Sequence, residues 1–258
     1  MAEIRCELCG NTRLLKKDGM YECTECRTQY TPEEAQKLLV SNAASSGGKT
    51  DPAELVIRNG VLIECKGDPR DVVIPEGVTI IGEKAFKDCE RLTSVTIPDS
   101  VKTIEDHAFS GCRSLTAIRI PDSVESLGLA AFSRCGLASV IIPGMLGIAP
   151  GAFAHCGRLT EVTMQEGVKL IGSEAFAYCD KLAAVSFPDS VKVIGECAFR
   201  NCDALTSITI PDGVTEIYPW AFRDCTGLTS VTVSRQTTIR NYAFEGCTAL
   251  DKEAIRKV

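Results

Sequence analysis

At 258 residues, 45% of them apolar, the chain is long enough for one or two domains around a large core. Its formal charge of −6 gives no basic field for nucleic acid or anionic lipid, and it has no apolar run of the roughly 18 residues that a membrane-spanning helix needs. The fourteen cysteines are regularly placed and the opening Met1–Cys6 has no apolar run, so we expect a reducing, cytoplasmic location rather than a disulfide-bonded secreted chain.

The first motif is Cys6-x-x-Cys9 followed by Cys23-x-x-Cys26. Two such knuckles supply four thiolates, the ligand set of a tetrahedral structural Zn²⁺; a redox dithiol is the other chemistry this spacing allows. Between the knuckles, residues 13–17 and 20–23 read as strands joined at Asp18-Gly19, a two-residue hairpin signal. That pattern is a zinc ribbon. It is too small to fold on its own core, so bound metal is expected to supply its folding energy. All four ligands are cysteine, which closes the site and makes it structural. Residues 1–50 carry seven basic and seven acidic side chains, which argues against DNA as its partner.

Thr31-Pro32-Glu33-Glu34 has the residues of a helix start, with a cap, a first-turn proline and two acids. The helix is expected to run through Val40, placing a ribbon with a short helix over residues 1–40. Residues 41–54, rich in Ser, Ala and Gly, read as a flexible linker. Gly48-Lys49-Thr50 imitates the end of a phosphate loop. The loop needs a glycine where Ala43 stands and a preceding strand, so nucleotide binding is excluded there. Residues 55–65 form a hairpin about Asn59-Gly60, placed to cap the apolar segments beyond it. Cys65 reads as an ordinary core residue in its second strand.

From Asp71 the chain repeats. The clearest unit runs from Leu92 to Cys112: Val95 and Ile97 alternate about Thr96 as in a strand, Pro98 ends it, and Val101 and Ile104 form the next inward pair. Ala108, Phe109 and Cys112 then point inward at helical spacing, so we expect one helical turn in every unit. The ending Ala-Phe-x-x-Cys recurs with Phe at 86, 109, 132, 153, 176, 199, 222 and 244, mostly 23 residues apart. A constant period of this length marks a solenoid whose units bury their apolar faces against their neighbours. Residues 55–258 form this array. Its phenylalanines and cysteines should stack in two inner columns. Parallel Cβ vectors exclude disulfides between neighbouring coils, so the cysteines are read as buried thiols. Cys197 lies outside their column and should be more exposed. The unit around residues 144–150 is short and should kink the stack.

The pattern L-x-x-[VI]-x-I-P-[DE]-[SG]-V-x-x-I-G-x-x-A-F-x-x-C resembles the BspA-like leucine-rich repeat family over about residues 55–250. The resemblance implies a right-handed superhelix with a parallel β-sheet on its concave face. It also implies a protein that binds other macromolecules, often as a surface adhesin.

No enzyme constellation appears. His107 and His155 lie two coils apart in different columns, with no nucleophile signature around either. The outward strand positions are small and hydroxylic except at Arg119, Ile141 and Glu161, which we take as one candidate partner site. A column after the strands, including Asp99, Asp122 and Asp189, is acidic, as turns favour, and suits a basic partner or a weakly held cation. Tyr218, Trp220 and Tyr242 form a second candidate, being exposed aromatics of the kind interfaces use; packing beneath residues 251–258 is the alternative role. The expected function is a non-enzymatic protein-binding scaffold carrying structural zinc. The other readings are a nucleic-acid-associated regulator acting through the ribbon and a cell-surface adhesin-like protein. Nothing in the sequence specifies an oligomeric state.

Overall fold

The structure is a computed structural model that describes residues 53–144 and 147–257, together with the strand backbone of 14–17, 20–23 and 29–30. The chain divides into two units, residues 1–50 and 51–258.

In the first unit, β1 (Leu14–Lys17), β2 (Met20–Cys23) and β3 (Gln29–Tyr30) form an antiparallel sheet in that order. Leu14 pairs with Cys23 and Lys17 with Met20, so the expected hairpin is present. The third strand was not expected from sequence. Of the four thiolates only Cys23 falls in a described element, at the end of β2. Cys6, Cys9 and Cys26, the helix expected over 31–40 and most of the linker lie outside the described residues.

The second unit opens with the hairpin β4 (Glu54–Arg58) and β5 (Val61–Lys66), which turns at Asn59 and Gly60, both at positive φ. β5 then pairs in parallel with the first coil, so the hairpin continues the stack as a cap. We number the coils one to eight by their phenylalanines, from Phe86 to Phe244. Each coil has two sheet sides and a turn side. The first sheet side holds β6 (Asp71–Val73), β8 (Ser94–Thr96), β11 (Ser139–Ile142), β13 (Glu161–Met164), β15 (Ala184–Ser186), β17 (Ser207–Thr209), β19 (Ser230–Val233) and β21 (Ile255–Lys257). The second holds β7 (Ile80–Ile81), β9 (Thr103–Ile104), β10 (Ser126–Leu127), β12 (Gly147–Ile148), β14 (Leu170–Ile171), β16 (Val193–Ile194), β18 (Glu216–Ile217) and β20 (Thr238–Ile239). Equivalent residues pair in register: Val140 opposes Val162, which opposes Val185. The inward residues and the phenylalanines make one continuous apolar core.

The turn side corrects the expected helical turn. Among the described residues the only helix is a 3₁₀ turn, Lys252–Ala254, capped by Asp251. The reason lies in how the backbone donors are shared. Ala85, Lys87 and Cys89 donate to carbonyls three residues back, at Gly82, Lys84 and Phe86, closing successive turns. Lys84, Phe86 and Asp88 instead donate to Asp106, Ala108 and Ser110 of the next coil, at 3.0, 2.7 and 2.7 Å. A helix would claim every donor for itself. The alternation also requires two left-handed residues per coil. One column contains Lys84, His107, Ala130, Glu174, Cys197, Trp220 and Tyr242; the other contains Asp88, Arg134, His155, Tyr178, Asn201 and Asp224; glycines fill the remaining positions. Non-glycine residues at positive φ are uncommon, and each costs about 1–2 kcal/mol. Here they are held by hydrogen bonds on both sides and by the buried phenylalanine between them.

The first sheet side is not continuous. Residues 117–119, expected as a strand, pair with neither β8 nor β11, and Ile118 is only half-buried. A second interruption separates β15 from β17. There Phe187 occupies a column that is otherwise aliphatic or methionine and meets Phe199 edge-on at 5.8 Å, leaving Val185 half-buried.

Candidate interaction surface

The sheet-side candidates are spread over three coils. Arg119 lies in the unpaired stretch and its guanidinium bonds Asp99, 3.2 Å away, in the preceding coil. Ile141 points outward from β11 and is 59% exposed. Glu161 begins β13 opposite Ser139, so it stands diagonally from Ile141, whose partner is Thr163. No ion pair joins Arg119 to Glu161 among the described residues. The structure therefore places these three on one face without linking them.

The turn side is organised differently. Left-handed residues project outward on either side of each phenylalanine, and equivalent side chains stack. Trp220 and Tyr242 are parallel with ring centroids 6.2 Å apart. Tyr242 is 61% exposed, and Trp220 is half-buried beneath it. The indole Nε1 of Trp220 donates to Glu245 Oε2 at 3.0 Å. The same oxygen lies 3.5 Å from Arg223 Nε, which is 3.2 Å from Asp224 Oδ2. Arg200 approaches that carboxylate oxygen at 3.8 Å and sets its guanidinium 5.5 Å from the ring of Tyr178. Tyr178 stacks on His155 at 4.7 Å. Together these contacts form a band of side chains over coils four to eight, connected by stacking and ion pairs. Tyr218 lies outside it, 39% exposed at the end of a sheet strand.

Sequence reasoning found Trp220 and Tyr242 but missed Tyr178, Arg200, Arg223 and Asp224. A signal was available, because those residues occupy the positions one and two after Phe in successive coils. The alternative cover for the aromatics is also resolved: the C-terminal segment runs along the first sheet side, where Val231 pairs with Ile255.

Other sites hold less chemistry. Among the described residues neither histidine hydrogen-bonds another side chain, and no group of three His, Cys, Asp or Glu residues could hold a metal ion. A depression of about 340 Å³ on the second sheet side is lined by Glu83, Glu105 and Asp106. Two of its carboxylates already accept backbone donors, Glu105 from Glu83 and Asp106 from Leu129. The ten described cysteines are free, and Cys197 is half-buried as expected. Burial pushes the Cys156 thiol up to about 12 and holds Cys179 well above the usual thiol value. These are neutral core groups. Among the described residues no helix is long and apolar enough to cross a membrane.

Comparison with known proteins accounts for the repeating coil. The family model described as the BspA type leucine rich repeat region matches residues 57–148 and 146–257. The chain belongs to the BspA-type leucine-rich repeat family. A leucine-rich repeat protein of T. pallidum is 29% identical, with a TM-score of 0.56 over 81% of this chain and 92% of that one. One from Eubacterium ventriosum is also 29% identical, with a TM-score of 0.61 over 69% of this chain and 50% of that one. A leucine rich cell surface protein of Faecalibacterium prausnitzii is 32% identical over 70% of this chain, with a TM-score of 0.47. The chain spans 58% of that protein's length and 59% of a Bacteroides ovatus relative's. No match was found among curated proteins. The BspA-type repeat thus accounts for the coils that carry the turn-side band.

Proposed function

We propose that this BspA-type solenoid is a non-enzymatic scaffold that binds a protein partner through its turn side. The observation that carries this reading is the Trp220–Tyr242 stack, fixed by Glu245 and joined through Arg223 and Asp224 to Arg200 and Tyr178. Trp, Tyr and Arg are the residues that dominate binding energy at protein interfaces. Rings and guanidinium groups held in place before binding lose less entropy on association. The sheet-side residues Arg119, Ile141 and Glu161 are a second, less connected contact. Structural Zn²⁺ on Cys6, Cys9, Cys23 and Cys26 belongs to this reading, supported by their spacing and by the β1–β2 hairpin between the knuckles. A reducing, cytoplasmic location belongs to this reading, supported by the regular placement of the cysteines in the sequence.

The test is quantitative recovery of bound partners by the wild-type chain and two variants. Tyr242→Ala should leave the melting temperature nearly unchanged, since the ring is exposed, and weaken the partner by more than about 1 kcal/mol. If Arg119→Ala weakens it and Tyr242→Ala does not, the sheet side is the contact. If neither does, both surfaces are wrong.

A further inference from the structure

We infer that the solenoid hinges between its third and fourth coils, with the turn side as the pivot. At this junction alone, both sheet ladders are interrupted together among the described residues. On the first side residues 117–119 pair with neither neighbour, and one bond from Ala138 to the Thr116 carbonyl, at 3.0 Å, remains beside the gap. On the second, β10 does not pair with β12. The N–H of Ala149 has no acceptor among the described residues, whereas its counterparts Gly172 and Gly195 each donate at 2.8 Å to Ile148 and Ile171.

The turn side remains whole. Ala130, Phe132 and Arg134 donate to Pro150, Ala152 and Ala154 at 3.0, 2.8 and 2.8 Å. Phe132 stacks on Phe153 at 5.4 Å, and the Cys156 thiol donates to the Phe132 carbonyl at 3.2 Å. One edge is therefore stitched and two ladders are open, which is the geometry of a hinge rather than of a break.

The sequence supplies a cause. In the other seven coils a leucine follows the column cysteine after two intervening residues, as in Cys112 to Leu115; between Cys135 and Leu137 only Gly136 intervenes. The shortened path falls on Gly136, which lies against the preceding coil so closely that an added Cβ would be 2.1 Å from the Arg113 carbonyl oxygen, as one on Gly227 would be 2.2 Å from that of Asp203. Only glycine allows that approach. The same coil is also one residue short between Ile142 and Ile148. That shortening alone does not open a ladder, because the eighth coil shares it between Val233 and Ile239 and keeps its pairing with the seventh. Bending here changes the distance between Arg119 on the third coil and Ile141 on the fourth, so the sheet face can adjust to the surface it meets.

Thr93, Thr160 and Thr229 share one exposed column on the second, fifth and eighth coils, so each adjacent pair spans three coils. Spin labels carried on non-canonical residues at these sites avoid the native thiols. Dipolar distance distributions should be at least about twice as broad for the 93–160 pair, which straddles the junction, as for 160–229. Equal widths would overturn the hinge. Hydrogen exchange in the same protein tests the pivot. The amides of Ala130, Phe132 and Arg134 should be protected as well as those of Phe153 and Phe176; exchange as fast as at Ala149 would mean the coils melt locally, and the hinge reading fails.

Discussion

The thiol of Cys179 donates to the carbonyl oxygen of Phe153, 3.3 Å away in the coil before it. The same contact joins Cys112 to Phe86, Cys135 to Phe109, Cys156 to Phe132, Cys202 to Phe176, Cys225 to Phe199 and Cys247 to Phe222. The cysteine column is thus a ladder of weak donors satisfying buried carbonyls. Cys65 extends it into the hairpin cap, where its N–H donates to Ala85 and its thiol meets Cys89.

The contacts are not equivalent. The Phe86 carbonyl also accepts the Cys89 N–H at 3.2 Å, whereas the Phe153 carbonyl has no second donor among the described residues. Cys179→Ala should therefore strand a buried acceptor and cost about 1–3 kcal/mol more than Cys112→Ala, though both thiols are fully buried. Urea unfolding of the two variants checks this, and equal losses would mean that the thiol acts only by filling space.

The same thiols set an alkaline limit. Burial raises Cys156 from 9.0 to about 12 and also raises Cys179 and Cys202; Cys135 is raised first by the neighbouring Cys112 thiol and then by burial. A group raised in the folded state keeps its proton while the unfolded chain loses it. Its stabilising contribution is complete below about pH 9 and is lost as pH rises toward 12. The urea midpoint should therefore be flat from pH 7 to 8.5 and fall steadily above about pH 9. A midpoint unchanged at pH 10.5 would contradict the neutral buried column.

Much of this was legible in the sequence because the repeat declares its inward positions: every expected Phe and Cys of the column is buried except Phe244 in the last coil, which is half-buried. The turn side was misread because Ala108, Phe109 and Cys112 have helical spacing, yet a backbone alternating between local turns and the next coil places the same three inward. Spacing records which side chains are buried, not where the N–H groups go. Residues 117–119 also failed as a strand. Their alternation is intact and the Thr116 carbonyl still accepts the Ala138 N–H at 3.0 Å, yet the stretch pairs with neither β8 nor β11. Arg200 and Tyr178 were missed because their meaning depends on stacking between coils 23 residues apart.

Bound metal is the prediction for the N-terminal unit. Protein never exposed to chelator should carry about one Zn²⁺ per chain, and Cys6→Ser with Cys9→Ser should abolish it. Removing the metal should melt β1–β3 while the solenoid keeps its thermal transition, since the coils draw on their own core. Elemental analysis showing no zinc would remove this part of the reading.

Phe176 and Phe244 occupy the same column with different surroundings. Phe176 is fully buried between Phe153 and Phe199, with ring centroids 5.4 and 5.2 Å away. Phe244 stacks only on Phe222, at 5.2 Å, and is partly exposed. Truncating a buried phenylalanine costs about 3–5 kcal/mol through lost transfer energy and the cavity left behind. Phe176→Ala should fall in that range and Phe244→Ala well below it. Coils touch only their neighbours, so the damage should begin locally. Hydrogen exchange in Phe176→Ala should rise most in β14 and β16, which carry Ile171 in the coil of the lost ring and Ile194 in the next. The turn-side amides Phe153 and Phe176 should follow, because they donate to Ala175 and Ala198 on either side of the cavity. The first coil, at the far end of the phenylalanine column, should keep its protection. A uniform loss from Phe86 to Phe244 would instead mean that the array opens as one cooperative body.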